Sequence, residues 1–247
     1  MKDINYNTFW DNQSLHSYHP GVRMRNYILL KKLQNLPYKR LLDVGCGDGY
    51  LLNRLYQRYS QRSYMGFDLS QKRITQNKHE NPNIDYQVRD LSNPMGFSTS
   101  DAMFLQAFDV VVCSEVIEHI TNWEITLDNA ISCMSDDGVL LLTTQAGKRF
   151  LFDINIGHVQ HFELATLERF LQERGLDVLD AYRVGFPFYT WMKYAYGFLS
   201  SFSEKVRTTE RFSWVKKCIF TCIFLFFLIT PKLKHYGPQL VIFAKKQ

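Results

Sequence analysis

The residues best equipped for chemistry crowd into two short stretches of the chain. The first is Leu41-Leu42-Asp43-Val44-Gly45-Cys46-Gly47-Asp48-Gly49-Tyr50, an apolar run with one acid that enters a Gly-x-Gly-x-Gly turn. Glycines at alternate positions allow positive φ and let a ligand lie against bare backbone. A helix opening after such a turn offers it unpaired N–H groups. A plain tight turn between strand and helix would need one glycine, not three. The second stretch is Ser114-Glu115-Val116-Ile117-Glu118-His119, directly after the β-branched run Phe108–Cys113. His158 and His161 follow later in His-Val-Gln-His-Phe-Glu.

The glycine spacing narrows the ligand. A nicotinamide or flavin fingerprint is G-x-G-x-x-G, with its third glycine five positions after the first. Here Tyr50 holds that position and the third glycine comes one earlier. A phosphate-binding P-loop needs Gly-Lys-Ser/Thr, and none follows. Asp43, two residues before Gly45, would repel a pyrophosphate and suits a ligand with a cationic amino group.

Further acids stand in register. Asp68 ends Tyr64-Met65-Gly66-Phe67-Asp68 and is followed by Leu69, and Asp90 precedes Leu91. Asp68 lies 23 positions after Gly45, where an acid can accept both hydroxyls of a ribose. Each also has a plain reading as a turn or cap residue. Together they resemble the class I S-adenosylmethionine-dependent methyltransferases, over about residues 18–185. The resemblance implies that Asp43, Gly45, Cys46, Gly47 and Gly49 form the first cofactor motif. It implies that Asp68 with Leu69 meets the adenosyl ribose, Asp90 with Leu91 the adenine amino group, and Ser114 with Glu115 the methionine part.

Methyl transfer from a sulfonium is an in-line displacement, so a base is needed only for a hydroxyl or protonated amine. His119 has the right unperturbed pKa for that task, with Glu118 beside it; a packed helix-start histidine is the bland alternative. Glu115, Glu118 and His119 with His161 are also similar to the metal set of magnesium-dependent small-RNA ribose methyltransferases. Shorter forms occur in ubiquinone-pathway O-methyltransferases. Glu-His-Ile after the fourth strand is nevertheless widespread in this superfamily without metal, so magnesium is not the favoured expectation. No Asn/Asp-Pro-Pro-Tyr/Phe motif of amino-methylating enzymes follows that strand. The expected acceptor is a hydroxyl on a small molecule or lipid-like compound. The alternatives are ribose methylation of RNA, or a partner subunit that binds cofactor without turnover.

These residues require a scaffold. Short apolar runs at Arg40–Val44, Ser63–Phe67, Ile84–Val88, Phe108–Cys113, Gly138–Thr144, Leu176–Val184 and Gln239–Lys245 read as strands. Amphipathic segments at Val22–Leu36, Gly49–Tyr59, Gln71–Lys78, Trp123–Met134 and Leu164–Arg174 read as helices, the last stopped by Gly175. The alternation predicts an α/β fold: a Rossmann-like, doubly wound, mostly parallel seven-stranded sheet with helices on both faces. We expect one methyltransferase domain over 1–247, with a helical cap over 1–37 and a hydrophobic helical insertion over 186–237. The cap and the insertion are expected to cover the acceptor pocket.

The 247 residues carry 46% hydrophobic side chains and 21% charged ones, an ordinary globular composition. The net charge of +5 is uneven: residues 204–247 carry +7 and the rest −2. Basic charge concentrated in a greasy insertion argues against a nucleic-acid surface. Cys218–Thr230 is 13 residues without a charge, about 20 Å as a helix against a hydrocarbon core of about 30 Å. It is too short to span. Core burial or peripheral membrane contact through 212–234 are the two readings. Five cysteines without a CxxC pair, and no apolar run behind Lys2, point to a reduced, cytoplasmic protein, with membrane association open.

Overall fold

The computed structural model describes residues 19–93, 102–200 and 214–247. The expected cap therefore lies partly outside the described residues, as do Phe202, Phe212 and the basic residues 205, 207 and 211. Seven strands form one sheet: β1 (Arg40–Val44), β2 (Ser63–Asp68), β3 (Asp85–Val88), β4 (Phe108–Ser114), β5 (Met134–Gln145), β6 (Leu176–Val184) and β7 (Gln239–Lys246). Their order is β3-β2-β1-β4-β5-β7-β6. All neighbouring pairs are parallel except β7, which runs antiparallel to both β5 and β6. The expected fold class is the observed one.

Eight helices flank these strands among the described residues: α1 (Pro20–Leu33), α2 (Tyr50–Arg58), α3 (Gln71–Glu80), α4 (Trp123–Ser132), α5 (Leu151–Asn155), α6 (Leu164–Gln172), α7 (Phe188–Ser200) and α8 (Trp214–Leu228). The pleat sorts each buried strand between two cores. Val110 and Val112 of β4 join Leu29 and Leu33 of α1, Leu52 and Leu55 of α2 and Ile74 of α3. Val111 and Cys113 join Leu127 of α4 and Leu167 and Leu171 of α6 on the other face. A third cluster, Met24, Tyr182, Val184, Tyr189, Phe227 and Val241, ties α7 and α8 onto α1 and the β6–β7 edge.

Several boundaries moved. α1 starts at Pro20 rather than Val22, because His19 caps it by accepting from the Gly21 N–H at 3.3 Å. It ends at Leu33, before Leu36, since Pro37 biases the residues ahead of it out of helical geometry. Met134 belongs to β5 and not to α4, paired with Phe108 across a bulge. α5 was not foreseen; at five residues it is too short to show a helical period. Among the described residues no helix is long and apolar enough to cross a membrane.

Candidate active site

The strand order reverses between β1 and β4, so the loops after these two strands diverge and leave a crevice at their C-terminal ends. The glycine loop lies on one side of it. Gly45, Gly47 and Gly49 have φ of 72°, 53° and 68°. The N–H groups of Gly45 and Cys46 donate to the Phe67 carbonyl at 2.8 and 2.9 Å, which closes the turn against β2. The three glycines do different things. A Cβ on Gly45 would lie 2.4 Å from Val116 Cγ2, and one on Gly49 2.7 Å from the Tyr86 hydroxyl. A Cβ on Gly47 would meet nothing within 4 Å. The first and third permit packing; the second faces open space, a bare-backbone cradle for a ligand.

The acids around the loop are held differently. Asp43 is buried at the end of β1, and burial, with Asp68 and Asp48 nearby, raises its pKa to about 8. The Asp68 carboxylate accepts from the N–H groups of Gly47 at 2.9 Å and Ser70 at 2.8 Å, bracing loop against strand. Leu69 beside it is exposed. Asp90 caps its own turn, accepting from the Ser92 N–H and hydroxyl and from Asn93 Nδ2. Leu91 is a core residue, under a loop that Asn129 pins by donating to the Leu91 and Asn93 carbonyls.

Across the crevice, Glu115 turns out of β4 with φ of 56°, a conformation a non-glycine residue adopts at a cost. Its carboxylate accepts from Gln145 Nε2 at 2.6 Å and Gln239 Nε2 at 2.8 Å, and pairs with Arg25 of α1 at 3.4 Å. Burial pushes this carboxyl up, yet Arg25, Gln239 and Gln145 outweigh it and hold the pKa below its usual value. Ser114 shares a 2.9 Å hydrogen bond with Thr143. Glu118 is the opposite case. It is fully buried and accepts from the Thr144 hydroxyl at 2.8 Å, and burial with the Glu115 charge raises its pKa well above the usual carboxylate value.

His119 ends a short 3₁₀ turn, Ile117–His119, where burial lowers its pKa and keeps the imidazole neutral. Its ring meets His158 edge-on, with centroids 4.7 Å apart. Beyond His158 lie His161, Asp153 of α5 and Lys193 of α7. Lys193 donates to Gln145 Oε1 at 3.1 Å and pairs with Asp153 at 3.3 Å.

Asp43, Gly45, Gly47, Gly49 and Asp68 thus stand on one side of the crevice and Ser114, Glu115 and His119 on the other, while Cys46 packs into the core and Glu118 is fully buried. The set Glu115, Glu118, His119 and His161 is not assembled as one metal cluster. Glu115 is committed to Arg25 and two glutamines, and the clusters present are Glu118, His119, His158 and Asp153, His158, His161. Arg25, Gln145, Gln239, Asp153, Tyr189 and Lys193 were not picked out beforehand. Lys193 had left a signal, as the one charge among the aromatics from Phe186 to Phe198.

Sheet order, glycine loop and acid at the end of β2 together define a Rossmann-like fold of the nucleoside-binding kind. A family model described as a methyltransferase domain matches residues 22–181. The ubiquinone biosynthesis O-methyltransferase of Coxiella burnetii is 26% identical over 181 residues, 64% of this chain and 74% of that one. The enzyme of the same name from Azoarcus sp. (strain BH72) is 32% identical over 122 residues, 47% and 49% of the two chains. Among solved structures, Haemonchus contortus phosphoethanolamine N-methyltransferase 2, in complex with S-adenosyl-L-methionine, superposes with a TM-score of 0.62 at 14% identity. That match covers 98% of this chain and 60% of the other. The [4+2]-cyclase SpnF gives 0.61 at 15%, over 92% and 81%. These two likenesses concern the fold alone. The chain belongs to the methyltransferase domain family and is an S-adenosylmethionine-dependent methyltransferase.

Proposed function

We propose that this chain methylates a hydroxyl on a small-molecule or lipid-like acceptor. S-adenosylmethionine, when bound, supplies a methyl group on a cationic sulfur open to in-line attack. Asp43, Gly45, Cys46, Gly47 and Gly49 hold the amino-acid end, with the Asp43 carboxylate opposite the ammonium. Asp68 and Leu69 take the ribose, Asp90 and Leu91 the adenine side, and Ser114 and Glu115 the flank nearest the acceptor. His119 takes the acceptor's proton. Glu118, buried beside it, is a positioning residue. The whole of 1–247 acts as one domain, with the 1–37 cap and the 186–237 insertion over the acceptor side.

The observation that carries the reading is His119, half-buried and held below its usual pKa, in the segment that packs on the glycine loop through Val116. An uncharged imidazole can accept a proton; a charged one cannot. The relatives named as O-methyltransferases agree with oxygen as the accepting atom. The test incubates the protein with methyl-labelled S-adenosylmethionine and phenols or catechols with and without a long apolar tail. Products are read by mass spectrometry. A methyl ether, with kcat lowered about 10²–10⁴-fold in His119→Ala at unchanged cofactor affinity, supports it. Methylation on nitrogen or carbon only, or full kcat in His119→Ala, overturns it.

A second reading concerns place rather than chemistry. Trp191 and Tyr194 of α7, and Trp214, Ile219, Leu225 and Phe226 of α8, are exposed, as is Ile229 just beyond α8. A face of that kind, in a stretch of net positive charge, supports peripheral contact with an anionic membrane from the cytoplasmic side.

A further inference from the structure

We propose that Asp153, His158 and His161 form a binding site for one zinc-type divalent ion, next to His119, whose ring meets His158 edge-on. Three ligand atoms face one another: His158 Nδ1 and His161 Nε2 are 3.0 Å apart, and Asp153 Oδ1 lies 3.7 and 3.8 Å from them. A tetrahedral zinc with bonds of about 2.1 Å places its ligands about 3.4 Å apart, so this triangle is one face of such a site almost as it stands. All three side chains are nearly solvent-free.

The surroundings are those of a prepared site. His161 Nδ1 donates to the Gly147 carbonyl at 3.1 Å, which leaves Nε2 as the lone pair turned toward the triangle. Asp153 Oδ2 accepts from the Phe150 N–H at 2.8 Å, which leaves Oδ1 for the ion. Two nitrogens and one carboxylate select zinc, iron, cobalt or nickel over magnesium, which prefers oxygen. Three protein ligands leave a fourth position for water or another oxygen.

Without an ion, a different cation serves the carboxylate. Lys193 stands 3.3 Å from Asp153 Oδ1. Metal and ammonium therefore compete for one oxygen, and Gln145 keeps hold of the lysine when the metal wins. For coordination through Nδ1, His158 moves its ring proton to Nε2 and no net proton is lost. The site links α5, the segment before α6 and, through Lys193, α7.

The test uses the full chain stripped of metal and titrated with ZnCl₂ by calorimetry, with CoCl₂ as a visible probe. One equivalent is expected, with the intense absorption of tetrahedral cobalt. Asp153→Asn and His161→Gln are expected to weaken it more than about tenfold. Lys193→Met, which removes the competitor, is expected to tighten it by about tenfold or more and to melt at a higher temperature with zinc than without. S-adenosylmethionine affinity in each variant reports folding. If both ligand variants fail that check, Lys193→Met decides. No saturable binding, the pale spectrum of octahedral cobalt, or Lys193→Met affinity at the wild-type level overturns the site. So does loss of binding in Cys218→Ser/Cys222→Ser, which would place the ion on the two exposed thiols of α8 instead.

Discussion

Gly47 and Gly45 look alike in the motif and differ in what they touch, so their substitution separates binding from folding. Gly47→Ala adds a methyl into open space at φ 53°, with a backbone cost of about 1 kcal/mol. Calorimetry is expected to show at least a tenfold loss of S-adenosylmethionine affinity while the protein stays folded. Gly45→Ala meets Val116 as well and is expected to melt lower than Gly47→Ala by scanning fluorimetry. The reverse order would mean the loop's open face is elsewhere. Asp43 gives a pH signature. Its folded pKa of about 8 lies above its unfolded value, so its contribution to apo stability is full at low pH and is lost as pH rises through about 8. A cationic ligand wants the carboxylate, so affinity is expected to climb between pH 6 and 8 and level off above. Asp43→Asn should flatten that climb and raise the apo melting temperature at pH 8; an unchanged slope would take Asp43 out of the contact. The loop and its acids were readable because their partners are close in sequence. Arg25 with Glu115, and Gln239 with Glu115, pair residues 90 and 124 positions apart, and no local pattern encodes that.

Strands and the longer helices were legible for a related reason: burial on both faces writes a β-branched run, and burial on one writes a helical period. α8 was legible as a helix but not in its orientation, because nearly every position is apolar. The structure divides it. Phe227 is buried against Tyr189, with ring centroids 5.0 Å apart, and Ile223 and Phe224 pack beside them. Ile229, just past the helix end, is 71% exposed. Phe227→Ala is therefore expected to cost about 3–5 kcal/mol in denaturant unfolding and Ile229→Ala less than about 0.5. Equal costs would mean the helix is rotated from this placement. The same packing makes removal of 186–235 a poor probe of the acceptor side, since it would strip Tyr189 and Phe227 from the β6–β7 edge. Point changes that keep those two residues isolate the outer face.

For the whole molecule, the question is what that outer face meets. Residues 204–247 carry a charge of +7 on a chain of +5, and the exposed apolar side chains lie in or beside the same segment. Not all of this charge is available: Lys232 pairs with Asp180 at 3.0 Å and lies over the Tyr182 ring, and Lys234 approaches Glu168 at 3.9 Å. A lysine that faces an anionic surface is worth about 1 kcal/mol near it. Each large apolar side chain that enters the interface adds about 1.5–3 kcal/mol at full burial. Binding should therefore need both contributions. Co-sedimentation is expected with phosphatidylglycerol-containing vesicles, weakening as salt rises because the charges are screened within about 10 Å at 0.1 M. Lys216→Glu/Lys217→Glu should weaken it at low salt, and Leu225→Ser/Ile229→Ser at every salt concentration. Neutral vesicles should pull down little. Equal binding to neutral and anionic vesicles would leave the charge asymmetry without a role. No sedimentation under any condition would mean that the exposed face meets something other than a bilayer, and that a lipid-like acceptor reaches the crevice from solution.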